Sequence, residues 1–572
     1  MEKEYKNLVL GCQNCKQDFI IEPDDFSFYE KIKVPPPTFC PECRAIRRMI
    51  GANERVLYKR KCDITGEQIF SMFPEDVSFP VYETKKWYSD EWDPYQYAMD
   101  YDFSKPFFEQ FAKLFNKVPR MALVRQGFLI NSEYTHRVSD MKNSYMVFRS
   151  TKSIDSMYVY TAVDIINCVD CFSINFCELC YECIDCNKCY KTKFSQECNE
   201  CRDSMFLYAC RNCSDCVGCV NLVNKQYFIF NQGYSKEDYF KKLKELNLNN
   251  FFSIEQLEKQ FFDFKKQFPQ RAIVSLKSNM VSGNWFLNSQ NVKNSYSCTN
   301  AKDCRYIDFA FNIQDCMDLF QWGRSSELIY ETANCGINSS RIYFSSQCWT
   351  SAHDLYYCDS CPSSSNCFGC IGLKKGEYSI LNKKYSKDEY ETLVPKIIKH
   401  MNEMPYVTKR GIEYKFGEHF PEELSAFAYN ETAAQDYFTL TKKEALKRGY
   451  RWKEREKKNY TISIDSSKLP ETIDEVGDSI VNEVISCAEK DSQYSVGAYR
   501  ITPNELSFYR RMDLPLPRVC FDVRHMRRLL KRPCLKLQKR NCSKCNLEVD
   551  TIYNESNAPI IYCESCYKQE VY

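Results

Sequence analysis

Near each end of this 572-residue chain, four cysteines have the types and spacing of a metal site. The pair Cys12 and Cys15 is followed by Cys40 and Cys43, and the pair Cys542 and Cys545 by Cys563 and Cys566. A C-x2-C turn aims two sulfurs at one point, and two such turns complete a tetrahedron of thiolates about 2.3 Å from a zinc ion. The spacing predicts zinc at Cys12, Cys15, Cys40 and Cys43 and at Cys542, Cys545, Cys563 and Cys566, two ions per chain.

The two ends are copies of one another. Residues 23–62 and 503–542 align without a gap and share 14 of 40 residues, among them Arg47-Arg48 with Arg527-Arg528. Each copy has lost one site. Val523 stands where Cys43 is a ligand, which leaves Cys487 and Cys520 too few to hold an ion. Cys62 aligns with Cys542, but Thr65, Glu83 and Lys86 fall where the other three ligands would be. The net charge of +2 conceals basic clusters beside these modules: seven Arg or Lys against one acid from Arg44 to Lys61, and twelve against two from Arg510 to Lys544. Such clusters suit phosphate contacts. They nominate Arg44, Arg47, Arg48, Arg524, Arg527, Arg528, Lys531 and Arg532 as a surface for RNA or a ribonucleoprotein. No base-reading motif accompanies them.

Between the modules, thirteen of the 34 cysteines fall from Cys168 to Cys219, mostly three residues apart. Cys180, Cys183, Cys186 and Cys189 approach a ferredoxin run but lack its last spacing and its proline. They are the ligands of an alternative reading, a metal-storing or redox solenoid holding iron–sulfur or several zincs. Against it, Ser replaces Cys freely in the same Asn/Asp-Cys phrase, as in Asn143-Ser144 and Asp155-Ser156. That interchange marks small buried slots.

The phrase recurs at a constant step through Asn143, Asp155 and Asn167, and a second copy of the region follows at an offset of 151, where Cys216-Val-Gly-Cys219 matches Cys367-Phe-Gly-Cys370. Short aromatic and β-branched runs between Asn/Asp turns favour strands. The fold class expected is mainly β with helices: a duplicated parallel β-solenoid over residues 128–233 and 280–384, two runs of about 12 residues making a turn of about 22–24 residues, flanked by terminal four-cysteine zinc-ribbon-like modules. Ser235-Lys-Glu-Asp238 and Ser386-Lys-Asp-Glu389 read as helix starts that cap each half. Segments 104–118 and 254–268 read as amphipathic helices before each half.

In chain order this divides into a zinc module (1–100), a helix linker (101–127), the first solenoid half with its cap (128–250), the second with its helices (251–402), a polar linker (403–480) and a degenerate-plus-intact zinc module (481–572). The phrases Phe19 to Cys43, Asp102-Phe-Ser-Lys-Pro-Phe-Phe-Glu-Gln-Phe111 and Tyr429-Asn-Glu-Thr-Ala-Ala-Gln-Asp-Tyr437 resemble the cysteine-rich zinc-ribbon proteins of candidate-phyla bacteria. The resemblance implies a cytosolic zinc protein and brings no established activity with it. Family members keep a Cys-Pro-x-Cys where this chain has Cys520-Phe-Asp-Val523.

No leader-like or membrane-length apolar run is present, so the expected location is cytoplasmic, with reduced thiols and no membrane partner. Five histidines, none in a hydrolase spacing, and no phosphate loop or GxGxxG argue against an enzyme. The expected function is a non-enzymatic zinc scaffold or binding protein, docking on RNA or on a protein partner that the sequence does not name.

Overall fold

The computed structural model describes residues 6–320, 323–333, 336–348, 350–454, 460–533 and 535–571. Its middle is a parallel β-solenoid in two halves. In the first half successive coils stack in constant register from Leu129 onward: Phe148 pairs with Tyr160, Tyr160 with Phe172, and Cys216 with Phe228. In the second half the step varies by a residue, as between Tyr296 with Asp308 and Ile329 with Ile342. One run of the repeat, the step from Asn143 to Asp155, is therefore a whole coil. The expected turn of two runs is corrected to one, about half the length.

The reason lies in the backbone. Every third residue from Arg137 to Phe230 has a left-handed φ, so a coil is four sides of three residues with a left-handed residue at each corner. A left-handed residue costs an ordinary side chain roughly 1 kcal/mol or more, and Asn and Asp tolerate it best. Hence the Asn/Asp-Cys phrase: Asn167 and Asp170 are corners at φ 51° and 54°, and Cys168 and Cys171 follow them.

The residue after each corner points inward. Every third residue from Val138 to Cys219 is buried, four to a coil. Cys180, Cys183, Cys186 and Cys189 fill one coil, and Thr192, Ser195, Cys198 and Cys201 fill the next. So narrow a ring favours small side chains, and a buried S–H or O–H there needs an acceptor. Backbone carbonyls supply it. Cys183 Sγ lies 3.2 Å from the Thr192 carbonyl, Thr192 Oγ1 is 3.2 Å from that of Tyr190, and Ser195 Oγ is 2.8 Å from that of Lys193. Thiol and hydroxyl exchange because both donate to the same carbonyls.

The caps form as the sequence indicates. Ser235 accepts the Asp238 N–H to start helix Lys236–Glu245, and Ser386 with Glu389 completes a capping box on helix Lys387–Glu403. Helices Phe107–Phe115 and Phe251–Lys265 precede the two halves.

The chain folds as two compact units that do not follow its order. One contains Met1–Leu123 with Ile273–Lys453, and the other Val124–Ala272 with Glu454–Tyr572. Each terminal module thus joins the solenoid half farther from it in sequence. The stretch 403–480 is not a polar linker. Tyr429, Ala433, Ala434 and Tyr450 form a core with Ile46, Met49 and Ile50 in the first unit, and Leu469, Ile473, Val476 and Ile480 join Leu506, Phe508 and Tyr509 in the second. Its short helical turns carry no sustained period, which is why it reads as linker.

Cys183→Ser keeps the donor and is expected to cost about 1 kcal/mol or less, whereas Cys183→Leu overfills the coil and costs about 1–3 kcal/mol. Thermal melts followed by circular dichroism compare the two. Equal melting temperatures would contradict a solenoid interior filled to capacity by small donors.

Candidate metal centres

Each four-cysteine group is built from a hairpin and a helix start. In the first unit, strands Leu8–Gly11 and Asp18–Ile21 carry Cys12 and Cys15 in their turn, where Lys16 is left-handed at φ 64°. Cys40 is the N-cap of helix Pro41–Ile50, and Cys43 lies in its first turn. In the second unit, strands Gln538–Asn541 and Glu548–Thr551 carry Cys542 and Cys545, with Asn546 at φ 61°, and Cys563 and Cys566 open helix Glu564–Val571. In each group the four sulfurs all lie within 4.8 Å of one another, three cysteines buried and one exposed.

The donor sets fit a tetrahedral ion. Bonds of about 2.3 Å imply sulfurs about 3.8 Å apart, and Cys15–Cys40 and Cys545–Cys563 are each 3.7 Å apart. Backbone N–H groups already turn toward the sulfurs: Cys40 N to Cys12 Sγ and Cys563 N to Cys542 Sγ are both 3.3 Å. Hydrogen bonds from Cys40 and Cys43 hold the Cys12 thiol far below its ordinary range. Burial opposes ionisation of Cys542, but the N–H groups of Cys563, Cys545 and Lys544 bring it down to about 6. One thiol of each group is thus favoured as the thiolate, the form that binds metal, while hydrogen bonding to Cys12 pushes Cys40 and Cys43 up and burial pushes up Cys566.

The two depleted sites keep the frame without the ligands. Cys62 follows strand Tyr58–Lys61 and takes the Glu83 N–H at 3.3 Å, while the Glu83 carboxylate caps helix Thr84–Tyr88. Cys487 takes the Cys520 N–H at 3.3 Å, and Val523 packs with Cys487, Val519 and Cys520. Among the described residues only the two intact groups bring three or more such ligands together. Cys180, Cys183, Cys186 and Cys189 are not such a group; they face inward from the four sides of one coil.

The arginines expected to meet nucleic acid mostly point the other way. Arg44, Arg47, Arg48, Arg524, Arg528 and Arg532 are buried. Helix Pro41–Ile50 lays Arg44 on Asp318 at 2.7 Å and Arg48 on the same carboxylate at 3.3 Å, and Arg47 reaches Glu331 at 2.7 Å and Glu418 at 3.0 Å. Helix Phe521–Lys531 repeats the arrangement. Arg524 meets Asp170 at 2.9 Å, Arg528 meets Asp170 at 3.0 Å and Glu182 at 2.7 Å, and Arg532, just past the helix, meets Asp185 at 2.9 Å. This corrects the expected RNA surface: guanidiniums buried against the chain's own carboxylates are not presented to a phosphate. Only Arg527 and Lys531 remain exposed, and they pair with Glu489 and Glu258.

Sequence reasoning missed the acids. Asp170 and Glu182 are corners of successive coils, and so are Asp318 and Glu331. Burial pushes Glu182 and Glu331 up from the usual carboxylate range, against the pull of Arg528 and Arg47. The signal available was the recurrence of arginines four apart on one helix in both modules, opposite a solenoid that is itself duplicated.

No protein-family model matches the chain, and no curated protein matches it. No described helix is long and apolar enough to cross a membrane.

Asp170→Asn strands two buried guanidiniums and is expected to destabilise the second unit by about 3–5 kcal/mol. Asp203→Asn, at an exposed corner, should stay within about 0.5 kcal/mol. Chemical denaturation of both variants checks the difference, and a neutral Asp170→Asn would show that the pairs carry no structural weight.

Proposed function

We propose that the chain is a non-enzymatic, zinc-binding structural scaffold of the cytoplasm, holding two zinc ions. The observation that carries this reading is the closure of each metal shell by four protein sulfurs. Structural zinc sites are closed in this way, whereas catalytic ones keep a position open for water or substrate. Each ion ties a hairpin to a helix start, and in each unit a helix of the same module carries the buried arginines to the solenoid. In the first unit that helix start belongs to the arginine helix itself, so metal there fixes the surface that docks. The interior thiols, donating to carbonyls, agree with a reducing compartment. The buried arginines give no support to a nucleic-acid partner.

Elemental analysis of anaerobically purified protein tests the metal. About two zincs and no iron per chain are expected, falling to about one in Cys542→Ser/Cys545→Ser with the first site still filled. Iron with sulfide, lost on Cys183→Ser/Cys186→Ser, would transfer the function to the solenoid interior. Filter retention of RNA tests the partner. No retention with a steep salt dependence is expected, since six of the eight nominated cations are buried and cannot displace counterions.

A further inference from the structure

The first unit encloses a cavity of about 80 Å³ where helix Phe107–Phe115, the second solenoid half and the segment 419–427 converge. Its walls are largely apolar and include five phenylalanines, among them Phe111, Phe420 and Phe427. Three buried polar side chains line it and carry atoms that have no hydrogen-bond partner: both Nη atoms of Arg120, both ring nitrogens of His419, and Oε1 of Gln347. These residues are 5%, 4% and 8% exposed. An unmet donor or acceptor at such depth costs about 1–3 kcal/mol, so a guest that answers several at once is favoured.

The duplication supplies an internal control. Pro119-Arg120-Met121-Ala122 corresponds to Pro269-Gln270-Arg271-Ala272 at an offset of 150. Strand Arg120–Met121 pairs with Val81–Tyr82 just as Gln270–Arg271 pairs with Ile561–Tyr562. In the second unit the buried Gln270 is fully used: Tyr208 Oη donates to its Oε1 at 3.1 Å, and its Nε2 donates to the Asn557 carbonyl at 3.2 Å. The same position in the first unit has become an arginine with unspent N–H groups. Facing it is the segment 419–427, which brings His419 to the site.

Charge decides the class of guest. Arg120 lies 3.5 Å from Asp359, Arg47 is taken by Glu331 and Glu418, and Glu422 is taken by Arg410. The ionised groups lining the cavity are paired within the chain, so an added anion would compete with Asp359 for Arg120 and leave that carboxylate uncompensated. What stays unmet is neutral hydrogen bonding, donors on Arg120 and an acceptor on Gln347. We propose that this cavity binds a small neutral molecule with a hydrogen-bond acceptor and donor on one head and a short apolar tail, the chemistry of a short-chain primary amide. The amide carbonyl accepts from Arg120, its NH2 donates to Gln347 Oε1, and the tail lies among the phenylalanines.

Saturation-transfer NMR on the intact, metal-loaded chain compares propionamide with its charged isostere propionate. Propionamide is expected to bind and propionate not. Gln347→Leu, which leaves the Arg120–Asp359 pair in place, should weaken amide binding about tenfold, the loss of one buried hydrogen bond. Arg120→Gln, the residue of the other unit, should do likewise. Binding of propionate in preference to the amide, binding of neither, or amide binding unchanged in Gln347→Leu would overturn the assignment.

Discussion

Two carboxylates on successive coils, held between arginines four residues apart on one helix, are the contact on which each unit depends. Asp318 with Glu331 and Asp170 with Glu182 occupy the same places in the two units, as do Arg44 with Arg48 and Arg524 with Arg528. Neighbouring strands lie about 4.8 Å apart, and four helical residues rise about 6 Å, so two guanidiniums can address two coils. Burying such groups is expensive, and an ion pair so placed repays it only with good geometry and added hydrogen bonds. Arg44 and Arg524 obtain those from the carbonyls of Phe39 and Val519 at 2.8 and 2.9 Å. The return is orientation, because a planar guanidinium between fixed carboxylates fixes its helix in one register. The four-cysteine group holds the start of that helix in the first unit, so metal site, arginine and coil form one mechanical series.

Duplication accounts for what was kept and what was allowed to drift. Each module has two hairpin-and-helix frames and one complete set of four sulfurs. Where ligands were lost the frame survived. The 3.3 Å N–H contact to sulfur persists at Cys62 and Cys487, with Glu83 capping a helix or Val523 filling the gap. Hydrogen bonding and apolar packing thus hold this frame where the ligand set is incomplete. The same drift separates the fully satisfied Gln270 from Arg120 and its cavity.

Much of this was legible in the residues. The C-x2-C pairs, both duplications, the solenoid and its capped ends follow from spacing, because metal geometry and stacked repeats constrain sequence tightly. The length of the coil did not follow. A corner every third residue has neither the period of two nor that of 3.6 by which strands and helices are recognised. The corners also include Arg149, Phe176, Leu179 and Tyr227, which no propensity would place in the left-handed region. Nor could charge counts reveal that the basic clusters are interior. A run such as Arg47-Arg48 reads the same on a surface as in a buried ion pair, and only the acids of a solenoid half far away in the chain decide between them. Pairing of modules with distant halves is a tertiary fact that leaves no local trace.

The crossed pairing is the central claim, and hydrogen–deuterium exchange of Asp318→Asn addresses it directly. Loss of this carboxylate should raise exchange in helix Pro41–Ile50 and leave helix Phe521–Lys531 protected as before. Faster exchange confined to the C-terminal module would mean that the second solenoid half seats the module nearer to it in sequence, and the account would be wrong.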